Sequence, residues 1–262
     1  MISTGYPWNP AIKTEVIDLV DSNVICEDLE DFPMEISTAV GANLASTPII
    51  CGGYFSNNVS VHTSDKCFKY MEGGWQHFAT IIERRAHAAG IVYNSVCMYR
   101  SLFVFCKALH IFGGLNYETY TTLQSSEIVK EDGSTTEGPQ LPTSIRFHAV
   151  ASINSTVSVI TGGRTKLWNG TDLDKTWYFN HASQEIQSGP NLLKARYGHS
   201  SGSVTDQESK EKMAIVAGGF GPWNLDSWIL DSTEILLNGQ WMPGKTHRVT
   251  NICLFFVYLL LL

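Results

Sequence analysis

Short apolar or β-branched runs of four to six residues recur along the chain, and none continues with the 3.6-residue period that predicts a helix. Four of these runs end in a glycine doublet: Pro48 to Gly53, His110 to Gly114, Val159 to Gly163 and Ile215 to Gly219. Their first glycines are 61, 49 and 56 residues apart. A fifth doublet, Gly73-Gly74, has no apolar run before it and is read as coincidence.

A second phrase repeats in step with the doublets. Gly138-Pro139 is followed by Arg146 and His148, and Gly189-Pro190 by Arg196 and His199. Arg85 and His87 begin a third copy, with His87 to Val92 set against His199 to Val204. After the doublets come further strand candidates, bounded by Gly, Pro, Asn and Asp: Thr233 to Leu237 leading to Trp241, Thr176 to Asn180 leading to Ile186, and Ser126 to Val129. Thr14 to Leu19 fits the same slot, and Val59 to Tyr70 with Trp75 is the loosest copy.

Each unit therefore offers about four short strands in roughly 50 residues, which predicts one twisted antiparallel sheet per unit. Such a sheet is apolar on both faces and cannot bury them alone. Stacking the sheets radially around an axis buries them against one another, so the fold class expected is an all-β propeller. A large apolar residue or Trp late in the unit would fill the wedge between blades.

The ends are incomplete units. Gly5 occupies a doublet slot, 47 residues before Gly52, so the chain starts in the middle of a blade. About five repeat units are expected over residues 1–245, with partial blades at both ends, followed by an apolar segment over 246–262 that reads as a final strand or a truncated end. Either strands from both termini close one ring, or the chain is a piece of a larger propeller. One stretch is too long: 26 residues separate His87 from Gly113, against 14 and 19 in the other copies, and the excess includes Ser101 to Cys106. An added strand or an aberrant local sequence would account for it.

The repeats resemble those of the kelch family, whose units carry an Arg/His-led strand pair ending in Gly-Gly, then a strand with an aromatic residue, then a Trp. The resemblance covers about residues 4–245 and is best from Gly113 to Trp241. The phrase from Trp177 to His181 with Gly189-Pro190 to His199 is similar to diverged kelch proteins of invertebrates. The third unit lacks the Trp, and the fourth has Ile186 in its place. The resemblance implies a kelch-type β-propeller that works as a protein-binding scaffold. The extra regions that mark ubiquitin-ligase adaptors of the family have no counterpart in this sequence.

Composition narrows the partners. Apolar residues make up 44% and charged residues 16%, enough apolar material for a core. The net charge of -7, with no Lys/Arg cluster, argues against nucleic acid and against anionic membranes. The apolar run Ile252 to Leu262 falls short of the ~20 residues of a membrane span. The six cysteines include no C-x-x-C pair, so no zinc site is expected. Three N-x-S/T sequons are about the number chance supplies. The compartment stays open between cytoplasm and exterior.

Candidate chemistry is sparse. His87, His148 and His199 read as one repeat position, as do Arg85, Arg146 and Arg196, and residues on different spokes are expected to act structurally rather than converge. A galactose-oxidase-like propeller would need a copper site of paired Tyr and His, which no spacing here suggests. Asp172 to Trp177 resembles part of a sialidase Asp-box, but Asp174 stands where a Gly is expected and only one copy exists. No G-x-S-x-G, P-loop or H-E-x-x-H occurs. No catalytic residue, metal or cofactor is expected. Binding is expected instead, through the loops Phe55 to Val61, Leu115 to Tyr120, Arg164 to Asp172, Thr205 to Lys212 and Phe220 to Leu225. Trp168 and Trp223 are the candidate anchors for a protein partner. The alternatives are a galactose-oxidase-like or sialidase-like enzyme, or a glycan-binding propeller.

Overall fold

The computed structural model describes residues 14–15, 28–56, 60–99, 102–205, 210, 212–222 and 228–244. Among them there is no helix. Four antiparallel sheets follow one another, each with its four strands in chain order. The first holds Val40–Leu44, Thr47–Cys51, Lys66–Met71 and Gly74–Thr80. The second holds Ala89–Tyr99, Leu102–Phe112, Ser126–Lys130 and Thr135–Glu137. The third holds Ala149–Ser152, Val157–Thr161, Thr176–Asn180 and Ile186–Ser188. The fourth holds Ser200–Thr205, Lys212–Ala217, Thr233–Leu237 and Gln240–Pro243. A ribbon of Thr14–Glu15 against Asp28–Leu29 precedes them.

Side-chain alternation explains why the sheets stack. Along the second strand of the second sheet, Leu109 and Ile111 pack against Val40, Ile49 and Ala79 of the first sheet. Their neighbours Ala108 and Phe112 point the other way, against Val150, Ile160 and Phe179 of the third. Val159 of the third sheet meets Val216, Leu236 and Trp241 of the fourth. Each buried Val, Leu, Ile or Phe contributes roughly 1.5–3 kcal/mol, so both faces of a sheet are needed to hold it. The first strands of successive sheets touch one another, which places them innermost. Sheets stacked radially around an axis in this way are the blades of a β-propeller.

Each of the four doublets ends the second strand of its sheet, and its backbone shows why glycine is required. Gly52 and Gly53 have φ of 67° and 91°. A Cβ on Gly52 would run into the Arg85 carbonyl oxygen, and one on Gly53 would lie 2.8 Å from the Ser37 oxygen. The close approach lets the Gly53 N–H donate to the Arg85 carbonyl of the next blade at 2.8 Å. Gly114 donates likewise to Ile145, and Gly163 to Arg196, both at 2.8 Å. The doublet is thus an inter-blade clasp. Gly73 lies in the turn between the third and fourth strands of the first sheet and Gly74 opens the fourth, outside that role.

The surplus before Gly113 adds no strand. It lengthens two existing ones, Ala89–Tyr99 and Leu102–Phe112, to 11 residues each. Trp75 and Trp241 occupy the same place in their fourth strands, opposite Tyr70 and Leu236, and Ile186 fills it in the third sheet. Cys51 and Cys67, directly opposed on neighbouring strands, form a buried disulfide. Cys106 is disulfide-bonded as well. Gly5 and the apolar run from Ile252 lie outside the described residues.

Candidate functional site

Antiparallel order brings the loops between second and third strands, and the connections between sheets, to the same face. At the axis on that face, Thr38, His87, Phe147 and Gly198 take left-handed backbone conformations, with φ of 53°, 54°, 56° and 60°. They are bonded in series: His87 N–H donates to Thr38 O at 3.1 Å, Phe147 to His87 at 2.9 Å, and Gly198 to Phe147 at 2.8 Å. This hoop, one residue per blade, fixes the true register of the repeat.

That register corrects two of the equivalences expected from sequence. His87 aligns with Phe147 and Gly198, while His148 and His199 share the next position. Arg146 aligns with Ser37, Ala86 and Tyr197, each of which bridges to the residue after its doublet: Arg164, Tyr54, Leu115 and Phe220 respectively. The position of Arg85 and Arg196 is held by Ile145 in the third blade and Ile36 in the first. The source of the slip is the spacing Arg-x-His in two copies against Arg-x-x-His in the fourth.

Arg85 and Arg196 are structural. Arg196 Nη1 donates to the Gly218 and Ser232 carbonyls at 2.8 and 3.1 Å, and Nη2 donates to Glu234 Oε1 at 2.7 Å. Arg85 repeats this with Gly113, Ser125 and Glu127. The remaining acceptor capacity of Glu234 takes the N–H groups of Leu193 and Lys194. His199 bonds Thr161 Oγ1 across the blade boundary at 2.8 Å. Burial lowers the pKa of His110 and of His148 to about 3 and holds His199 well below the ordinary value. All three are therefore neutral.

Around the hoop runs a chain of rings. Tyr54 meets Tyr117 at 5.3 Å and His87 at 5.7 Å, and His87 lies 4.0 Å from Phe147. Phe147 neighbours Tyr197, Tyr197 neighbours Phe220, and Phe220 stacks on Trp228 at 4.9 Å. His87 Nε2 and the Tyr117 hydroxyl are 2.8 Å apart. Burial, with Arg146 nearby, lowers the His87 pKa to about 3, and burial beside Tyr54 pushes Tyr117 up to about 12.

Arg146, Arg164 and Asp172 sit on the Phe147 and Tyr197 side of this rim. Arg164 Nη1 is 3.3 Å from Asp172 Oδ1. The Arg146 guanidinium lies 4.9 Å over the Phe147 ring, and that of Arg164 lies 5.2 Å over Tyr197. Arg146 is buried, yet among the described residues its guanidinium makes one hydrogen bond, from Nη2 to the Leu167 carbonyl at 3.3 Å; its Nε, like those of Arg85 and Arg196, has no acceptor there. Burial raises the Asp172 pKa against the pull of both arginines.

Of the expected anchors, Trp168 is 77% exposed on the loop between Arg164 and Asp172. Trp223 lies outside the described residues. Tyr120 and Trp228 are also exposed beside the rim. Thr205 and Lys212, which flank another of the expected binding loops, lie on the opposite face, where a groove of about 370 Å³ runs between Tyr178, Asn180, Lys212 and Leu236. Thr176-Trp177, the end of the Asp-box-like phrase, opens a blade strand, and Asp172 serves the rim. Among the described residues, no three His, Cys, Asp or Glu side chains gather as metal ligands do. The rim itself was hidden in the sequence, because its rings come from four blades; the arginine and tyrosine beside the doublets were the signal that could have found it.

No family model matches the sequence, and no curated protein matches it. Among solved structures the chain is similar to one titled Structure of YjhT, with a TM-score of 0.71 and 12% identity over 90% of this chain and 78% of that one. At that identity the likeness shows the fold alone, and with the stacked sheets and the inter-blade clasps it makes this chain a β-propeller.

Proposed function

We propose that the chain is a non-catalytic kelch-type propeller that binds another protein through the rim around its axis. The carrying observation is that Phe147 and His87 keep large side chains in left-handed backbone positions, where the fourth blade uses Gly198. A bulky residue with positive φ is strained by about 1–2 kcal/mol, and strain of this kind concentrates at functional sites. Exposed Trp168, Tyr120 and Trp228 beside those rings supply the aromatic anchors typical of interface hot spots. The kelch reading rests on the doublets, the arginines at 85 and 196, the histidines at 148 and 199, and the shared place of Trp75 and Trp241.

Site-specific photo-crosslinking in the native cell tests this. A crosslinking residue at position 168 or 120 is expected to capture one discrete protein. The same residue at Asp132, on a turn of the opposite face, is not. Equal capture from both faces would count against the rim. Turnover of a substrate lost in Arg164→Gln would overturn the non-catalytic reading.

A further inference from the structure

We propose that Asn154 carries an N-linked glycan, and that the first sugar of that glycan lies in the groove between the third and fourth blades, on the face opposite the rim.

In sequence, Asn154-Ser155-Thr156 is no more than chance supplies; two features of the folded chain give it meaning. The first is oxidation. Cys51 and Cys67 form a buried disulfide, and Cys106 is disulfide-bonded too. Structural disulfides form and persist in oxidising compartments, along the route on which N-x-S/T asparagines are modified. The second is the turn itself. Asn154 is exposed between the first and second strands of the third sheet. Its Oδ1 accepts from the Thr156 and Val157 N–H groups at 2.8 Å and from Thr156 Oγ1 at 3.0 Å. Its Nδ2, the atom that glycosylation uses, makes no hydrogen bond among the described residues.

Transfer joins Nδ2 to C1 of the first sugar of a lipid-linked oligosaccharyl diphosphate, on the nascent chain. The C1–O bond breaks, the diphosphate leaves with its electron pair, and Nδ2 gives up one proton. The product is a secondary amide that keeps Oδ1 as an acceptor. The folded turn therefore holds it with all three hydrogen bonds intact.

Asn154 lines the groove of about 370 Å³ together with Tyr178, Gln187 and Asn238. That volume is at the small end of ligand clefts and suits a sugar better than a length of peptide. Tyr178, half-buried, offers a ring on which the C–H face of a sugar can pack. The side-chain amides of Gln187 and Asn238 make no hydrogen bond among the described residues and are free to meet sugar hydroxyls. A covalently tethered sugar needs little further affinity to stay there, because its effective concentration is high. The sequon at Asn169 adjoins Trp168 on the rim, whereas a glycan at Asn154 leaves the rim clear.

Mass spectrometry of the full chain isolated from its native cell tests the site. An amidase that releases N-glycans, used in heavy-oxygen water, converts a glycosylated Asn154 to labelled Asp. Labelling is expected in wild type and lost in Thr156→Ala, which removes the sequon and keeps Asn154. Asn154 recovered unlabelled from the folded wild-type chain overturns the proposal. An endoglycosidase that cuts after the first sugar tests the seating. Native protein is expected to be cut at least about tenfold more slowly than denatured protein, because a seated sugar is reached only through local opening. Tyr178→Leu is expected to abolish that difference. Gln187→Ala, at an exposed position, is expected to reduce it, and gives a second reading should Tyr178→Leu fail to fold. Equal cutting of native and denatured protein overturns the seating, as does protection that survives both variants.

Discussion

Arg196 Nη2 lies 2.7 Å from Glu234 Oε1, with both side chains shut off from solvent. The same places hold Arg85 and Glu127 in the second blade, Ile145 and Trp177 in the third, and Ile36 and Phe68 in the first. The two positions change character together, ionic in two blades and apolar in the other two.

Breaking one side of the pair is therefore expected to be severe, and replacing both sides mild. Glu234→Ala strands a buried guanidinium and is expected to cost about 3–5 kcal/mol. The double change Arg196→Ile with Glu234→Phe, which copies the first blade, is expected to recover most of it. Urea unfolding of the single and double variants measures the difference.

The clasp glycines divide from the turn glycine in the same way. Gly113→Ala drives a Cβ into the Ile145 carbonyl, whereas at Gly73 a Cβ meets open space and only the backbone conformation, φ 88°, is unfavourable. Gly73→Ala is expected to cost about 1 kcal/mol, and Gly113→Ala about 3 kcal/mol or more because the overlap is with backbone. Melting temperatures of the two variants give the comparison.

Acid is expected to unfold the protein through its buried histidines. His87, His110 and His148 have folded pKa values lowered to about 3, and that of His199 is also lowered. The unfolded chain takes up these protons near its ordinary value of about 6.5, so it binds more protons than the folded state below that pH. Stability is full above pH about 6.5 and falls as pH drops, by about 1.4 kcal/mol per pH unit for each histidine. Calorimetry from pH 8 to 4 is expected to show a plateau and then a steep decline; a flat profile would contradict the burial.

Cys51 and Cys67 close a loop across the first blade, at a sequence separation of 16. A loop of that size stabilises by about 3 kcal/mol. Because both sulfurs are buried, a mild reductant is expected to leave the folded protein intact and to lower the midpoint only once denaturant exposes the bond. Urea titration with and without reductant reads this directly.

Phe147→Gly separates stability from recognition. Glycine relieves the left-handed backbone, as Gly198 does in the fourth blade, and the change is expected to stay within about 1 kcal/mol of wild type. Partner capture from position 168 is expected to be lost all the same. A collapse of stability would mean that the ring serves the fold.

The blades were legible in the sequence because apolar runs and doublets recur locally. The strand limits at Thr176, Thr233 and Ser126 follow from the same cue. The register between Arg and His was not, since only the backbone shows which residue turns left-handed: His87, and not His148, holds that place. Trp168 could be placed on a loop but not shown to be exposed. The rim was only hinted at by the residues after the doublets, because Tyr54, Phe147 and Phe220 are far apart in the chain and meet only around the axis.

The hoop through Thr38, His87, Phe147 and Gly198 has a consequence for how the surface can vary. Each of the four described blades contributes a single rung, and successive rungs are tied by one hydrogen bond. The spacing of the inner strands is then set by these backbone bonds and not by loop sequence. Loops such as the one bearing Trp168 can change without altering the backbone bonds beneath them.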